Sequence, residues 1–318
     1  MAEQGYRLYQ RIKENIGRVI VGKSDIIDLL LITLFAGGHA LLEDVPGTGK
    51  TMLVKSLAKS LDCTCRRIQF TPDLLPSDIT GINYFNMKSG EFEFVPGPVF
   101  SNLIIADEIN RATPKTQSGL LECMEERQAT IDGVTYRLSD PFMVVATQNP
   151  LENMGVFPLP EAQLDRFLIK TAMNYPDHDE SVKVVERFGA ASDPFSVLEP
   201  VASAEEVRAV ADELRSIYVD RDVISYIVSI VEATRKAPGV MLGASPRAAL
   251  SLHKVAKGYA LISGRDYVTP DDVKKSAKPV LSHRLILTNT ARMKKGAAEE
   301  MIDQLISMIP VPTEPQLQ

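Results

Sequence analysis

Apolar positions along this chain repeat with one period up to about residue 175 and with another beyond it. In the first part, short apolar runs at 39–42, 102–106 and 142–147 are separated by segments of helical spacing such as 52–61. Apolar runs of this length that alternate with helices are typical of parallel strands covered on both faces. The pattern therefore predicts an α/β fold built on a doubly wound parallel sheet.

Beyond Tyr175 the strand runs stop, and apolar residues recur every three or four positions instead. Helices are expected at 204–218, 223–234, 247–262 and 270–281. Thr269 precedes the last of these as an N-cap, with Pro270 at the first helical position. We therefore divide the chain into an α/β core at 1–175 and an all-helical domain at 176–318.

Two segments of the core have the alternation of β-hairpins. Residues 84–94 alternate on both sides of Lys-Ser-Gly, and residues 129–136 are centred on Asp-Gly. Asp-Gly between alternating apolar residues is the strongest short-range signal for a hairpin. Phe85, Phe92 and Phe94 give the first hairpin a candidate apolar face. Such hairpins either engage other proteins or decorate the sheet edge, and the sequence leaves both open.

Residues 44–51 carry the clearest chemical signal in the sequence. They read Asp-Val-Pro-Gly-Thr-Gly-Lys-Thr and lie between a predicted strand and a predicted helix. Backbone N–H groups of such a loop and of the helix N-terminus converge on phosphate, where the helix dipole favours negative charge. Lys50 would contact the β- and γ-phosphates of ATP, and the Thr51 hydroxyl would ligate Mg²⁺. Asp44 stands where the usual loop has glycine, and the alternative is a chance Gly-Lys-Thr in a solvated turn.

Two further predicted strands end in side chains that would complete such a site. The run 102–106 is followed by Asp107 and Glu108, and the carboxyl ends of parallel strands are where ligands bind in open α/β sheets. Asp107 would hold the Mg²⁺ through a water, and Glu108 would polarise the attacking water. Asn149 could orient that water, although an Asn before proline is by itself more often a turn residue. Two acids at a strand end are likewise often only a solvated turn.

Composition argues against nucleic acid, export and membrane insertion. The 318 residues include 35 Lys and Arg against 41 Asp and Glu, for a formal charge of −6, and no Trp. Affinity for nucleic acid depends on phosphate neutralisation, so an acidic chain without a basic stripe is a poor candidate. Three cysteines indicate a reducing compartment. With no long apolar stretch, we expect a cytoplasmic protein.

Five motifs resemble those of the MoxR-type members of the AAA+ ATPases, in the same order. They lie at 41–47, 69–78, 106–112, 146–150 and 161–167. The Asp at position 44 is itself a feature of that family, and the resemblance spans roughly residues 10 to 290. It implies a P-loop AAA+ core followed by a helical lid, ATP hydrolysis with Mg²⁺, and assembly into a homo-oligomeric ring, expected to be a hexamer.

The resemblance also implies roles for two arginines. Arg166 matches an arginine that projects into the site of the neighbouring subunit. The alternative is an ion pair within the chain, with Asp165 or Glu161. Arg247 matches sensor 2, an arginine expected to reach from the lid to the phosphates of its own chain. Its alternative is a solvated arginine in a first helical turn.

With Glu108 and Asn149, these two arginines make up the expected catalytic set. The two hairpins correspond in the family to the helix-2 insert and the pre-sensor-1 hairpin. The residues that the loop and the resemblance together place against the nucleotide are Val21, Gly22, Asp44, Val45, Pro46, Gly47, Thr48, Gly49, Lys50, Thr51 and Met52.

Three functions are compatible with these residues. The favoured one is ATP-driven, chaperone-like remodelling or activation of a partner protein, which in this family often contains a von Willebrand factor A domain. A DNA-dependent AAA+ motor or loader would share the core, but the acidic balance argues against it. A nucleotide switch with negligible turnover is the third, and the presence of Glu108 argues against it.

Overall fold

The structure is a computed structural model that describes residues 3–43, 47–148, 155–189, 193–294 and 296–312. Its strands are, in chain order, β1 (Ala40–Glu43), β2 (Cys65–Gln69), β3 (Gly81–Asn86), β4 (Glu91–Pro96), β5 (Leu103–Asp107), β6 (Gln128–Ile131), β7 (Val134–Arg137), β8 (Met143–Gln148), β9 (Ile169–Ala172), β10 (Val240–Leu242) and β11 (Ile286–Leu287).

The α-helices in the same ranges are α1 (Glu3–Gly17), α2 (Ser24–Phe35), α3 (Lys50–Ser60), α4 (Pro76–Thr80), α5 (Pro114–Glu126), α6 (Glu161–Leu164), α7 (His178–Phe188), α8 (Ala204–Ser216), α9 (Arg221–Lys236), α10 (Pro246–Ile262), α11 (Pro270–Leu281), α12 (Asn289–Arg292) and α13 (Ala297–Met308).

A five-stranded parallel sheet forms the centre of the core, with strand order β2-β5-β8-β1-β9. Successive residues of a strand point to opposite faces. Leu42 and Ile105 accordingly join one apolar cluster with α2, α3 and the helices after the sheet. Leu41 and Ile104 join a second cluster with α5 on the other face. Helices therefore cover both faces, and the predicted α/β, doubly wound parallel sheet is confirmed.

The helices after the sheet pack around α10, which contacts α2, α9 and α11. Gly258 makes the contact with α2 possible, because a Cβ there would lie 2.3 Å from Cγ2 of Ile32. Thr269 is the N-cap of α11, as predicted, and it forms a capping box with Asp272. The boundary at residue 175 stays a prediction, although β9 ends at Ala172 close to it.

Some elements differ from what the sequence pattern predicts. The short antiparallel ribbon β10–β11 interrupts the helical lid. Helices α7 and α13 also lie outside the predicted set. α7 has a signal that could have found it, since Asp177 and Glu180 form a capping box.

The two predicted hairpins are present as β3–β4 and β6–β7. They contact each other, because Phe94 stacks on Tyr136 with ring centroids 4.3 Å apart. Phe85 and Phe92 form an edge-to-face pair at the exposed end of the first hairpin. In the part of the chain that the structure describes, no helix is long and apolar enough to cross a lipid bilayer.

Candidate functional site

A cavity of about 530 Å³ lies at the carboxyl ends of the sheet strands, beside the first turn of α3. That volume is within the usual range for small-molecule sites. The residues that line it are Gly47, Thr48, Gly49, Lys50, Thr51, Met52, Lys55, Arg67, Gln69, Asp107, Glu108, Thr147, Gln148 and Phe195.

The loop before α3 turns on two glycines with positive φ. Gly47 has φ 87° and Gly49 has φ 90°, in the region that residues with a side chain rarely adopt. Among the described residues, no atom lies within 4 Å of a Cβ built on Gly47, so the positive φ is the reason for glycine there. Lys50 and Thr51 follow as the first residues of α3. The N–H groups of this helix N-terminus therefore lie at the cavity, as phosphate binding requires.

Asp107 ends β5 and is held through both carboxylate oxygens. The Thr147 hydroxyl donates to Oδ1 at 2.7 Å, and Arg67 Nε donates to Oδ2 at 2.8 Å. Thr147 lies on β8 and Arg67 on β2, the two strands that flank β5. The strand order of the sheet thus brings these three side chains together.

Glu108 follows directly and leaves the strand in a left-handed conformation, with φ 57° and ψ 49°. Non-glycine residues in this region are uncommon and occur often at functional sites. The turn is held because the Glu108 N–H donates to Thr147 Oγ1 at 2.9 Å. The Glu108 carboxylate accepts from Gln69 Nε2 at 2.9 Å and pairs with Arg111 at 3.2 Å.

The donors at this cavity fit a nucleotide with Mg²⁺. Among the described residues, no cluster of three or more His, Cys, Asp or Glu side chains could hold a metal alone. Mg²⁺ commonly takes one or two protein ligands and completes its shell with water and phosphate oxygens. Thr51 and Asp107 both line the cavity and would supply those ligands.

Several residues predicted to bind the nucleotide do not line this cavity or lie outside the described residues. Asp44, Val45, Pro46 and Asn149 lie outside the described residues. Val21 and Gly22 are not among the cavity's lining residues.

Gly22 instead lies against α7, where an added Cβ would be 1.9 Å from Oε1 of Glu180. The structure therefore does not bring this segment to the described part of the cavity.

A second cavity, of about 260 Å³, holds both predicted arginines. Arg166 Nε lies 2.9 Å from Oε2 of Glu125, and Arg247 Nη2 lies 2.6 Å from Oε1 of the same residue. The hydrogen bond from Arg247 lowers the pKa of the Glu125 carboxyl below its ordinary value. The intrachain pairing considered for Arg166 thus occurs, with Glu125 as the partner.

This second cavity lies at the amino ends of the strands. Its lining includes Gly38 and His39, which precede β1, and Leu168, which precedes β9. The loop at Lys50 follows the other end of β1. In this structure Arg247 therefore does not lie at the phosphate loop of its own chain, where it was expected, because α10 packs against α2 and places its first turn beside the amino ends.

Sequence reasoning assigned no role to several residues at the nucleotide cavity. Gln69 and Arg67 are two apart on β2, so both side chains lie on one face beside β5. Thr147 precedes the predicted sensor on β8. The positions of Gln69, Arg67 and Thr147 near strand ends could have indicated that they line the site. Phe195 follows a segment outside the described residues and had no signal in the local sequence.

Comparison with known proteins agrees with this geometry. The family described as "ATPase family associated with various cellular activities (AAA)" matches residues 39–169, and the AAA lid domain matches residues 232–305. The first match spans β1 to β8 and all the lining residues of the nucleotide cavity except Phe195, and the second includes α10 and α11. Fold and site thus define an AAA-type ATPase with its lid.

Proteins that match nearly the whole chain identify the subfamily within the AAA-type ATPases. The uncharacterized protein YeaC of Bacillus subtilis is 49% identical over 312 residues, covering 98% of this chain and 97% of the relative. The chaperone MoxR1 of Mycobacterium tuberculosis is 39% identical, covering 98% and 84%. A crystal structure of a candidate ATPase from Cytophaga hutchinsonii superposes with a TM-score of 0.90 at 41% identity, covering 98% of each chain. The chain belongs to the MoxR-type AAA+ ATPases.

Proposed function

We propose that this protein hydrolyses ATP with Mg²⁺ at the cavity beside α3, and that it does so only as a homo-oligomeric ring. The ring is expected to be a hexamer. Its work is chaperone-like remodelling or activation of a partner protein in the cytoplasm.

The observation that carries this proposal is the separation of the two halves of the catalytic set. Lys50, Thr51 and Glu108 line a cavity at the carboxyl ends of the strands, while Arg166 and Arg247 line a cavity at the amino ends. No simple side-chain motion carries an arginine from one end of the sheet to the other. A second copy whose amino-end cavity faces the nucleotide of the first would complete the site.

At the completed site each residue has a separate task. The backbone of the loop and Lys50 bind the phosphates, and Thr51 and Asp107 would hold Mg²⁺, which neutralises charge on the phosphate oxygens. Glu108 takes a proton from the water that attacks the γ-phosphorus, and the bond to the ADP oxygen breaks. Arginines supplied by a neighbour stabilise the charge of that transition state, by roughly 10³–10⁵ in rate in related systems.

The exposed hairpin β3–β4 supports a protein as the client. Phe85, Met87 and Phe92 are 51%, 92% and 73% exposed. Large apolar side chains grouped on a surface commonly mark a protein interface. By family resemblance, the partner would contain a von Willebrand factor A domain.

The test is steady-state ATP hydrolysis against protein concentration, with and without duplex DNA. We expect turnover per subunit to rise with concentration, to ignore DNA, and to vanish in Glu108→Gln while ATP binding remains. Stimulation by DNA would instead favour a DNA motor or loader. Hydrolysis that is absent at every concentration would favour a nucleotide switch.

The separation of the arginines has its own test in mixed rings. Arg166→Ala and Lys50→Ala should each be inactive alone. Mixed together they should regain activity, because each chain supplies what the other lacks. If no mixing ratio restores turnover, the arginine does not act on a second copy.

A further inference from the structure

Glu125 connects the two arginines that the proposed function places at a second copy's nucleotide. One carboxylate oxygen contacts Arg166 at 2.9 Å and the other contacts Arg247 at 2.6 Å. Glu125 lies in the last turn of α5, Arg166 lies just before β9, and Arg247 lies in the first turn of α10. A single side chain of the core thus holds one arginine of the core and one of the lid.

These contacts leave donor groups on both arginines available. Arg166 contacts the carboxylate through Nε, and Arg247 contacts it through one terminal nitrogen. A guanidinium has five N–H donors in a rigid fork and can contact a carboxylate and a phosphate together. Lys254 lines the same cavity. With Arg127 and Arg284, the lining has five cationic side chains against the carboxylates of Glu125 and Asp165, which leaves the cavity wall with an excess of positive charge.

The backbone around the arginines is fixed by other contacts. Asp165 accepts from Arg284 Nε at 2.6 Å and from the Ser245 hydroxyl at 3.4 Å. Asp165 immediately precedes Arg166, and Ser245 lies two positions before Arg247. The side chain of Arg284 is only 3% exposed and also donates to backbone carbonyl oxygens. The positions of both arginine backbones therefore do not depend on Glu125, but the directions of their side chains do.

We propose that Glu125 is a positioning residue, which holds Arg166 and Arg247 as a pair with their remaining N–H groups directed at the γ-phosphate of a second copy. This inference rests on the proposed function. An arginine side chain loses rotamer freedom when it engages a phosphate, and a preset side chain loses less at the moment of reaction. If both arginine side chains are already held before the phosphate binds, the rate of hydrolysis should be about 10- to 100-fold higher than without this restraint.

The test compares Glu125→Gln with Glu122→Gln, an exposed residue one turn earlier on α5. The substitution at 125 keeps the shape and removes the charge. We expect its kcat to fall about 10- to 100-fold while the KM for ATP changes less than about 3-fold. ATP affinity should be unchanged, because the nucleotide cavity of the same chain lies at the other end of the sheet. The control should match the parent protein.

Mixed rings distinguish positioning from a general structural defect. Glu125→Gln should be rescued by Lys50→Ala chains, which supply intact arginines, but not by Arg166→Ala chains, which share the damaged face. A Glu125→Gln protein that is as active as the parent, or more active, would overturn the inference, and so would a loss that Lys50→Ala chains do not rescue.

The pair Lys50→Ala with Arg166→Ala serves as the reference. Rescue in that pair together with an unaffected Glu125→Gln protein would reject the positioning role and leave the proposed function in place. Failure of that reference pair would reject both.

Discussion

His39 is a buried imidazole that should make the stability of this protein depend on pH. It lies just before β1 and is only 4% exposed. Its Nδ1 accepts from the Val144 N–H at 2.9 Å, and its Nε2 lies 3.0 Å from the Met124 carbonyl oxygen. Because an N–H points at Nδ1, the ring is neutral with its proton on Nε2. A second proton would place two donors against each other within the sheet.

Burial lowers the pKa of His39 from 6.5 to about 3, and the positive charge of Arg127 adds to this effect. In the unfolded chain the same ring binds a proton below about pH 6.5. Between these values the unfolded state binds more protons, so the free energy of unfolding falls as pH falls, by about 1.4 kcal/mol per pH unit. From pH 7 to pH 5 the loss due to His39 amounts to about 2 kcal/mol.

The measurement is urea unfolding of the parent and of His39→Asn at both pH values and at fixed ionic strength. The Asn side-chain oxygen can still accept from the Val144 N–H, so the sheet contact is kept. We expect the variant to lose about 2 kcal/mol less than the parent between pH 7 and pH 5. The buried ring of His283, whose pKa is lowered in the same direction, contributes equally to both proteins and cancels. Equal losses in the two proteins would refute the reasoning.

Two further predictions concern the contacts that join core and lid. Asp165→Asn should lower the free energy of unfolding by about 3 kcal/mol, the low end for breaking a buried pair, because Arg284 keeps its carbonyl acceptors; thermal melting with no shift would contradict this. Gly258→Ala should lower the free energy of unfolding by about 2 kcal/mol through overpacking against Ile32. Gly17→Ala should cost little, because a Cβ there meets no atom of the described residues within 4 Å. The midpoints of urea unfolding compare the two alanine variants, and equal midpoints would show that α10 shifts without cost.

Most of the fold could be predicted from local pattern. The strands β1, β5 and β8, both hairpins and the helices α8 to α11 were predicted because the period of apolar residues reports directly which faces are buried. The helices α7 and α13 and the ribbon β10–β11 were not predicted. Strand β10 has three residues and β11 has two, too few to show an alternating pattern, and their pairing joins segments more than 40 positions apart along the chain.

The nucleotide cavity was predictable for a related reason. Residue type and position after a predicted strand are enough to identify the loop at 47–51, Asp107 and Glu108. Gln69 and Arg67 could not be assigned in the same way. Their contacts with the two acids follow from β2 being the neighbour of β5, and strand order is not written in the local sequence.

The sequence by itself determined the class of this protein, its nucleotide loop and its two acids, because each of these depends on a few consecutive residues. Only the tertiary structure decided where the two arginines lie. Arg166 and Arg247 are 81 positions apart, and they meet on Glu125 because the lid helix α10 packs against α2 at the amino ends of the strands. That packing separates them from the phosphate loop of their own chain, and it is the physical reason why the site is completed by a second copy in the function proposed here.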